Sequence, residues 1–325
     1  MFPIDSKDLM RARDLLWNGD VVGMPTETVY GLAASIESEA GIRKIFSLKE
    51  RPFFDPLIVH VSSLKEAQSL TSHWSPLADF IARVFWPGPL TLILPKADHV
   101  NPLITSGLPS VGIRYPAHPL TIELIRATGH PLAAPSANKF GRTSPSQASH
   151  VRAEFAGTDL FVLDGGVCDV GIESTVLRVV QDANEQRLEI LRPGAITASL
   201  LQNALSKWEG KVEVSSLTSE ASPGHLQHHY MPNIPLLILR NNSASIEQLG
   251  RLNLTKKSRG RELQLSDDAV QAARELYSEM REASAKGVDY LFVKKTPERL
   301  NEDWIAIWDR LTRAASLDLS GSVHE

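Results

Sequence analysis

The sequence predicts an α/β fold: a first domain with an at least partly parallel sheet, followed by a smaller α/β unit. Two observations carry this. Short apolar runs alternate with amphipathic segments of helical period over roughly two hundred residues. A polar, Pro- and Gly-broken stretch at about 214–235 then precedes a second, shorter series of the same kind.

The first helix is predicted at 8–18, where Leu9, Ala12, Leu15 and Leu16 share a face and Gly19 ends it. Residues 21–24 read as a short buried strand stopped by Pro25. A helix follows at 39–48, a strand at 57–61, and helices at 63–70 and 76–85. Strands are predicted at 90–94, 111–114, 132–134, 160–163, 176–180 and 188–191, the later ones antiparallel in character. In the second unit, 236–239 and 290–293 read as strands, Ser266 caps a long helix reaching about 285, and 301–315 is the last helix. The expected domains are 1–205 and 235–325, with a linker or lid at 206–234.

Composition narrows the function. Against 34 Lys and Arg stand 38 Asp and Glu, a net charge of −4, so any polyanion site is a local gathering of cations and not a wholly basic face. The single cysteine, Cys168, excludes an intramolecular disulfide and a multi-cysteine metal site. The first eight residues show no signal peptide and no apolar run is long enough for a membrane span, so a cytoplasmic protein is expected. Phosphate-loop, dinucleotide, zinc-hydrolase and serine-hydrolase signatures are absent.

What remains is a set of polar clusters at strand ends, where open α/β sheets bind ligands. Residues 25–32, PTETVYGL, suit a small polar substrate at a helix start, or equally an ordinary capped turn. Lys49 and Arg51 stand at a helix end before Pro52. Their i, i+2 spacing lets both meet one anion only if the backbone has left the helix, which Pro52 favours; the alternative is a cationic helix terminus. Asp55 and Pro56 lead to a strand carrying His60, a core histidine by itself as readily as a ligand. Arg114 closes an otherwise buried strand and wants a carboxylate from protein or ligand. Residues 133–145, AAPSANKFGRTSP, combine small residues with hydroxyl, amide and cationic donors able to lie close to a nucleotide. The Gly-rich turns around 165–175 and 192–194 suggest an edge hairpin. His225, His228 and His229 in the linker weigh metal capture against an ordered loop, with no acidic or thiol neighbour.

Taken in order, PTETVYGLA, KERP with DPLIVHV, FWPGPLTLIL, VGIRYP, APSANKFGRTSP, DGGVCDVGIESTV and LRPG closely resemble the threonylcarbamoyl-AMP synthase family in its longer form. The resemblance implies a YrdC-like twisted mixed sheet with flanking helices, plus a C-terminal Rossmann-like domain. It implies synthesis of L-threonylcarbamoyl-AMP from L-threonine, bicarbonate or CO2, and ATP. Pyrophosphate is released, and the product serves threonylcarbamoyladenosine formation beside the tRNA anticodon through a downstream transferase. Contact with tRNA itself is not implied by the net charge.

By the same resemblance, Thr28, His60, Arg114, the backbone of Ala134, and Ser174 face threonine. Arg51, Asp55, Ser110, Ser136, Asn138, Ser144, Arg192 and Tyr230 face ATP. Lys49 and Arg51 are the catalytic cations, and Mg2+ is held mainly by the phosphates with no direct protein ligand. Asp55 stands where the family commonly has Asn, and Ser110 where Thr is frequent. Tyr230, in the linker, implies a lid. A module that binds RNA or nucleotide without turnover would use the same cations, but the set Thr28, His60 and Arg114 serves threonine capture.

Overall fold

The computed structural model describes residues 6–51, 55–181, 185–216, 229–239, 246–255 and 257–319. The chain forms α1 (Ser6–Trp17), β1 (Val22–Met24), β2 (Gly31–Ser35), α2 (Glu39–Lys49), β3 (Ile58–His60), α3 (Leu64–Ser69), α4 (Pro76–Phe85), β4 (Leu90–Pro95) and α5 (Pro102–Thr105). Then come β5 (Ser110–Arg114), α6 (Pro119–Thr128), β6 (Leu132–Ala133), α7 (Ala148–Glu154), β7 (Phe161–Val162), β8 (Thr175–Gln181), β9 (Gln186–Arg192), α8 (Ala198–Leu205) and β10 (Glu213–Ser216). The last stretch holds β11 (Leu236–Leu239), α9 (Ile246–Gly250), β12 (Gly260–Glu262), α10 (Ala269–Ser284), β13 (Tyr290–Lys294), α11 (Ile305–Ala314) and β14 (Leu317–Leu319).

Ten strands make one mixed sheet in the order β10-β9-β8-β4-β5-β3-β6-β2-β1-β7. Its centre pairs β3 parallel to β5, with Ile58 beside Gly112 and His60 beside Arg114, while β4 runs antiparallel to β5 and parallel to β8. The register therefore sets the two candidate ligand residues, His60 and Arg114, side by side at one sheet end. The four strands β12-β13-β11-β14 form a second, wholly parallel sheet. Apolar side chains close the gap between the units: Val29 and Ile172 of the first pack in one buried cluster with Leu276, Tyr277 and Ile307 of the second. Among the described residues no helix is long and apolar enough to cross a membrane.

Four readings differ from the structure for physical reasons. Residues 25–32 do not begin a helix but turn into β2, antiparallel to β1. The Thr26 hydroxyl accepts the N–H groups of Thr28 and Val29 and donates to the Val29 carbonyl at 2.6 Å, so a side-chain turn replaces the first helical turn. The long C-terminal helix is capped by Asp268, whose side chain accepts from Val270, and Ser266 instead accepts from Asp268 one step upstream. The glycine-framed strand β8 lies inside the sheet between β4 and β9, not at an edge. The polar run 213–216 is an edge strand, partly exposed, which is why it lacks apolar alternation.

Candidate active site

At the ends of β1, β3 and β5 the sheet opens into a cavity of about 570 Å³, mouth included, a size that suits a small molecule or nucleotide. Thr28, His60, Arg114, Ala134 and Ser174 line it, as do Arg51, Ser136, Arg192 and Tyr230. Thr26, Glu173 and His229 line it too. Residues separated by up to two hundred positions in sequence meet here.

One side is built by strands. Arg114 is 4% exposed, and its Nη1 donates to Thr28 Oγ1 at 2.8 Å. Its Nη2 lies 2.6 Å from Glu27 Oε1, an ion pair whose atoms are not aligned for a hydrogen bond. Nη2 is thus held by the Glu27 carboxylate, and Nε is the guanidinium nitrogen buried without a partner, open to a ligand's carboxylate. Next to it, burial and the Arg114 charge push His60 down to about 3, so the ring is neutral, and its Nδ1 is buried without a partner. Ala134 donates its N–H to the Ile58 carbonyl at 2.9 Å. Ser174 shares a hydrogen bond of 2.8 Å with Thr91.

The other side is cationic. Glu50 adopts a left-handed conformation (φ 54°) that ends α2, so the chain leaves the helix between Lys49 and Arg51 as their spacing required. Arg51 pairs with Asp55 at 2.7 Å and also donates to the Pro56 carbonyl at 3.0 Å. The carboxylate at position 55 is thereby neutralised by Arg51. Lys49 lies just behind the wall: its ammonium donates to the carbonyls of Ser136 and Asn138. Burial, then the Arg51 charge, holds that amine well below its ordinary pKa. Asn138 donates to the Lys139 and Arg142 carbonyls, both at 2.8 Å, which curls residues 138–142 into a tight loop. Arg192 reaches back to the Ser174 carbonyl at 2.9 Å.

Tyr230 covers this side. Met231 donates to the Gly141 carbonyl at 2.8 Å and Thr143 to the Met231 carbonyl at 3.1 Å, so the linker's end is stapled to the Asn138 loop. The Tyr230 hydroxyl and His229 Nδ1 are buried without partners. Burial pushes His229 down to about 3 and, with Glu173 nearby, Tyr230 up to about 12. The other linker histidines, His225 and His228, lie outside the described residues.

Five expected residues do not line the cavity: Lys49, Asp55 and Asn138, whose partners are given above, and Ser144 and Ser110. Ser144 is fully buried with its hydroxyl on Glu173 at 2.6 Å. Ser110 opens β5 at the end opposite Arg114, paired with Pro95. The reading of the sequence passed over Glu27, Glu173 and Arg310. Both glutamates sit inside quoted motifs, between threonines in one and before Ser174 in the other. Arg310 betrays itself as a charge on the apolar stripe of Ala306, Ile307, Leu311 and Ala314.

The residues offer a divalent metal no cage. Among the described residues no group of three His, Cys, Asp or Glu could hold one. Asp55 is engaged by Arg51, and Glu173 by Ser144, Tyr277 and Arg310.

Residues 14–194 match the family described as Telomere recombination (Sua5, YciO, YrdC). Residues 196–316 match the family described as Threonylcarbamoyl-AMP synthase, C-terminal domain. The threonylcarbamoyl-AMP synthase of Bacillus subtilis is 36% identical over 94% of this chain and 92% of its own. That of Pyrococcus abyssi is 32% identical over 94% and 93%. The crystal structure of Pyrococcus abyssi Sua5 complexed with L-threonine superposes with a TM-score of 0.82 at 29% identity, covering 96% of both chains.

Proposed function

The chain belongs to the threonylcarbamoyl-AMP synthase family, and from that premise we propose that it joins L-threonine, bicarbonate or CO2, and ATP into L-threonylcarbamoyl-AMP with release of pyrophosphate. The observation that carries this is one cavity with a carboxylate fork, Arg114, on one side and two further guanidiniums, Arg51 and Arg192, on the other.

In this reading the substrate carboxylate lies on the Nε edge of Arg114, whose orientation Thr28 and Glu27 fix. His60 and Ser174 meet the rest of the amino acid. The threonine amine, as the free base, attacks CO2 and releases one N–H proton to solvent to give the carbamate, whose oxygen then attacks the α-phosphorus while pyrophosphate leaves. The protein supplies no nucleophile. It aligns carbamate and phosphate, and Arg51 and Arg192 neutralise the charge that builds on the phosphoryl oxygens. Lys49 acts one layer back, holding the Ser136–Asn138 backbone against the phosphates. Mg2+ would enter with the ATP phosphates. Tyr230 and His229 close the nucleotide side and shield a hydrolysable mixed anhydride from water. The product passes to the tRNA threonylcarbamoyl transferase machinery.

The test is product formation from the purified chain. Pyrophosphate and a threonylcarbamoyl adenylate should appear only when ATP, threonine and bicarbonate are all present, followed by phosphate release and mass spectrometry. ATP breakdown that ignores threonine, or the absence of the adenylate, removes the proposal.

A further inference from the structure

Glu173 is a carboxylate in the wall of a cavity whose other charged walls are guanidiniums. Left alone, such an anion repels a triphosphate and is costly to bury. Its oxygens are nevertheless fully engaged. Oε1 accepts from Ser144 at 2.6 Å, and Oε2 accepts from Tyr277 at 2.9 Å and from Arg310 Nε at 3.1 Å. Tyr277 and Arg310 belong to α10 and α11, in the C-terminal unit. Burial works against the charge of Glu173, yet Arg310 and Arg192 outweigh it and hold the carboxyl below its usual range.

Arg310 is wholly buried. Besides Glu173 it donates to the Pro193 carbonyl, one residue past Arg192, and its guanidinium carbon sits 5.7 Å from the centre of the Tyr230 ring. The two units are fitted tightly at this point. Gly171 has φ +78°, and a Cβ there would lie 2.4 Å from Arg274 Cα in α10. By contrast, among the described residues the hydrogen bonds and ion pairs of Thr28 and Arg114 come from the first unit.

Resting on the synthase reading, we propose that Arg310 is a positioning residue for the nucleotide side of the site, through which the C-terminal unit completes the ATP half and leaves the threonine half untouched. It neutralises Glu173, holds the turn that carries Arg192, and supports the Tyr230 ring. Removing it exposes a phosphate site to an uncompensated carboxylate, whereas removing both charges does not.

The experiment titrates the full chain calorimetrically with threonine and, separately, with ATP. In Arg310→Met the ATP Kd should rise about tenfold or more, and threonine affinity should stay within about twofold. Adding Glu173→Gln should restore most of the ATP affinity. An ATP Kd that does not move, equal losses for both ligands, or a double variant no better than Arg310→Met each overturns the proposal. Threonine binding doubles as the control for folding. Should Arg310→Met fail to fold, Arg310→Gln, which also removes the charge but keeps a hydrogen-bond donor for the Glu173 carboxylate, is read by the same ratio. Turnover is scored apart from binding: a wild-type chain that binds both ligands and makes no adenylate sinks the synthase reading, while an active one with Arg310→Met unchanged sinks only this.

Discussion

At Arg114 the guanidinium is half engaged before any substrate arrives, with Thr28 on Nη1 and Glu27 beside Nη2. A lysine there would keep the charge but lose the planar fork that serves Thr28 and a carboxylate together. Arg114→Lys should therefore weaken threonine binding by about 2 kcal/mol, roughly thirtyfold, and leave ATP binding within about twofold. Titration calorimetry reads this, and unchanged threonine affinity would take the carboxylate role away from Arg114. Lys49 behaves differently, because its amine is spent on two backbone carbonyls. Lys49→Met should strand both acceptors, destabilise the chain by about 1–3 kcal/mol in urea, and lower kcat by displacing Ser136. Stability and kcat both at wild-type levels would place the loop's support elsewhere. The pair at positions 49 and 51 was legible as two cations on a broken helix end. That one of them faces inward to hold backbone was not, because its acceptors lie almost ninety residues further along the chain.

An element is held in place by contacts its own periodicity does not record. The turn after β9 shows this, since Gly194 passes so close to the start of β8 that a Cβ would lie 2.4 Å from Thr175 N and 2.8 Å from the Ser174 carbonyl carbon. Backbone cannot yield cheaply, so Gly194→Ala should part the β8–β9 junction and cost about 2 kcal/mol or more of stability. It should also carry Ser174 and Arg192 off the cavity wall together, weakening both threonine and ATP. A urea midpoint at the wild-type value would show that the turn relaxes freely. The strands predicted at 90–94 and 236–239 were legible because their apolar runs are largely buried. The strand 31–35 was hidden, because its small residues Gly31, Ala33 and Ala34 carry little β signal and its partners, β1 and β6, are set by tertiary pairing. Likewise the quoted motif around Ser174 showed a turn, and only the pairing of β8 with β4 shows that it opens into the cavity.

The molecule as a whole buries neutral histidines on either side of one cavity, and its acid stability follows from them. His60 and His229 are both pushed down to about 3, chiefly by burial, against an ordinary 6.5. Above pH 6.5 both are neutral folded or unfolded, so their environment contributes its full share. Between 6.5 and 3 the unfolded chain takes up a proton at each that the folded chain refuses, and stability falls as pH falls. Two protons correspond to about 3 kcal/mol for each pH unit in the middle of that window. His150, pushed down to about 4, and His118, lowered by burial, act in the same sense. Glu173, held low by Arg310 and Arg192 against its burial, adds to the loss only below its ordinary 4.5, outside the range that separates the histidines. Urea unfolding at pH 7, 6 and 5 should therefore show a steep decline, and His229→Gln should remove about one proton from the slope. A midpoint that is flat from pH 7 to 5 would mean that the cavity admits water and charge to these rings. That outcome would be incompatible with a closed nucleotide side.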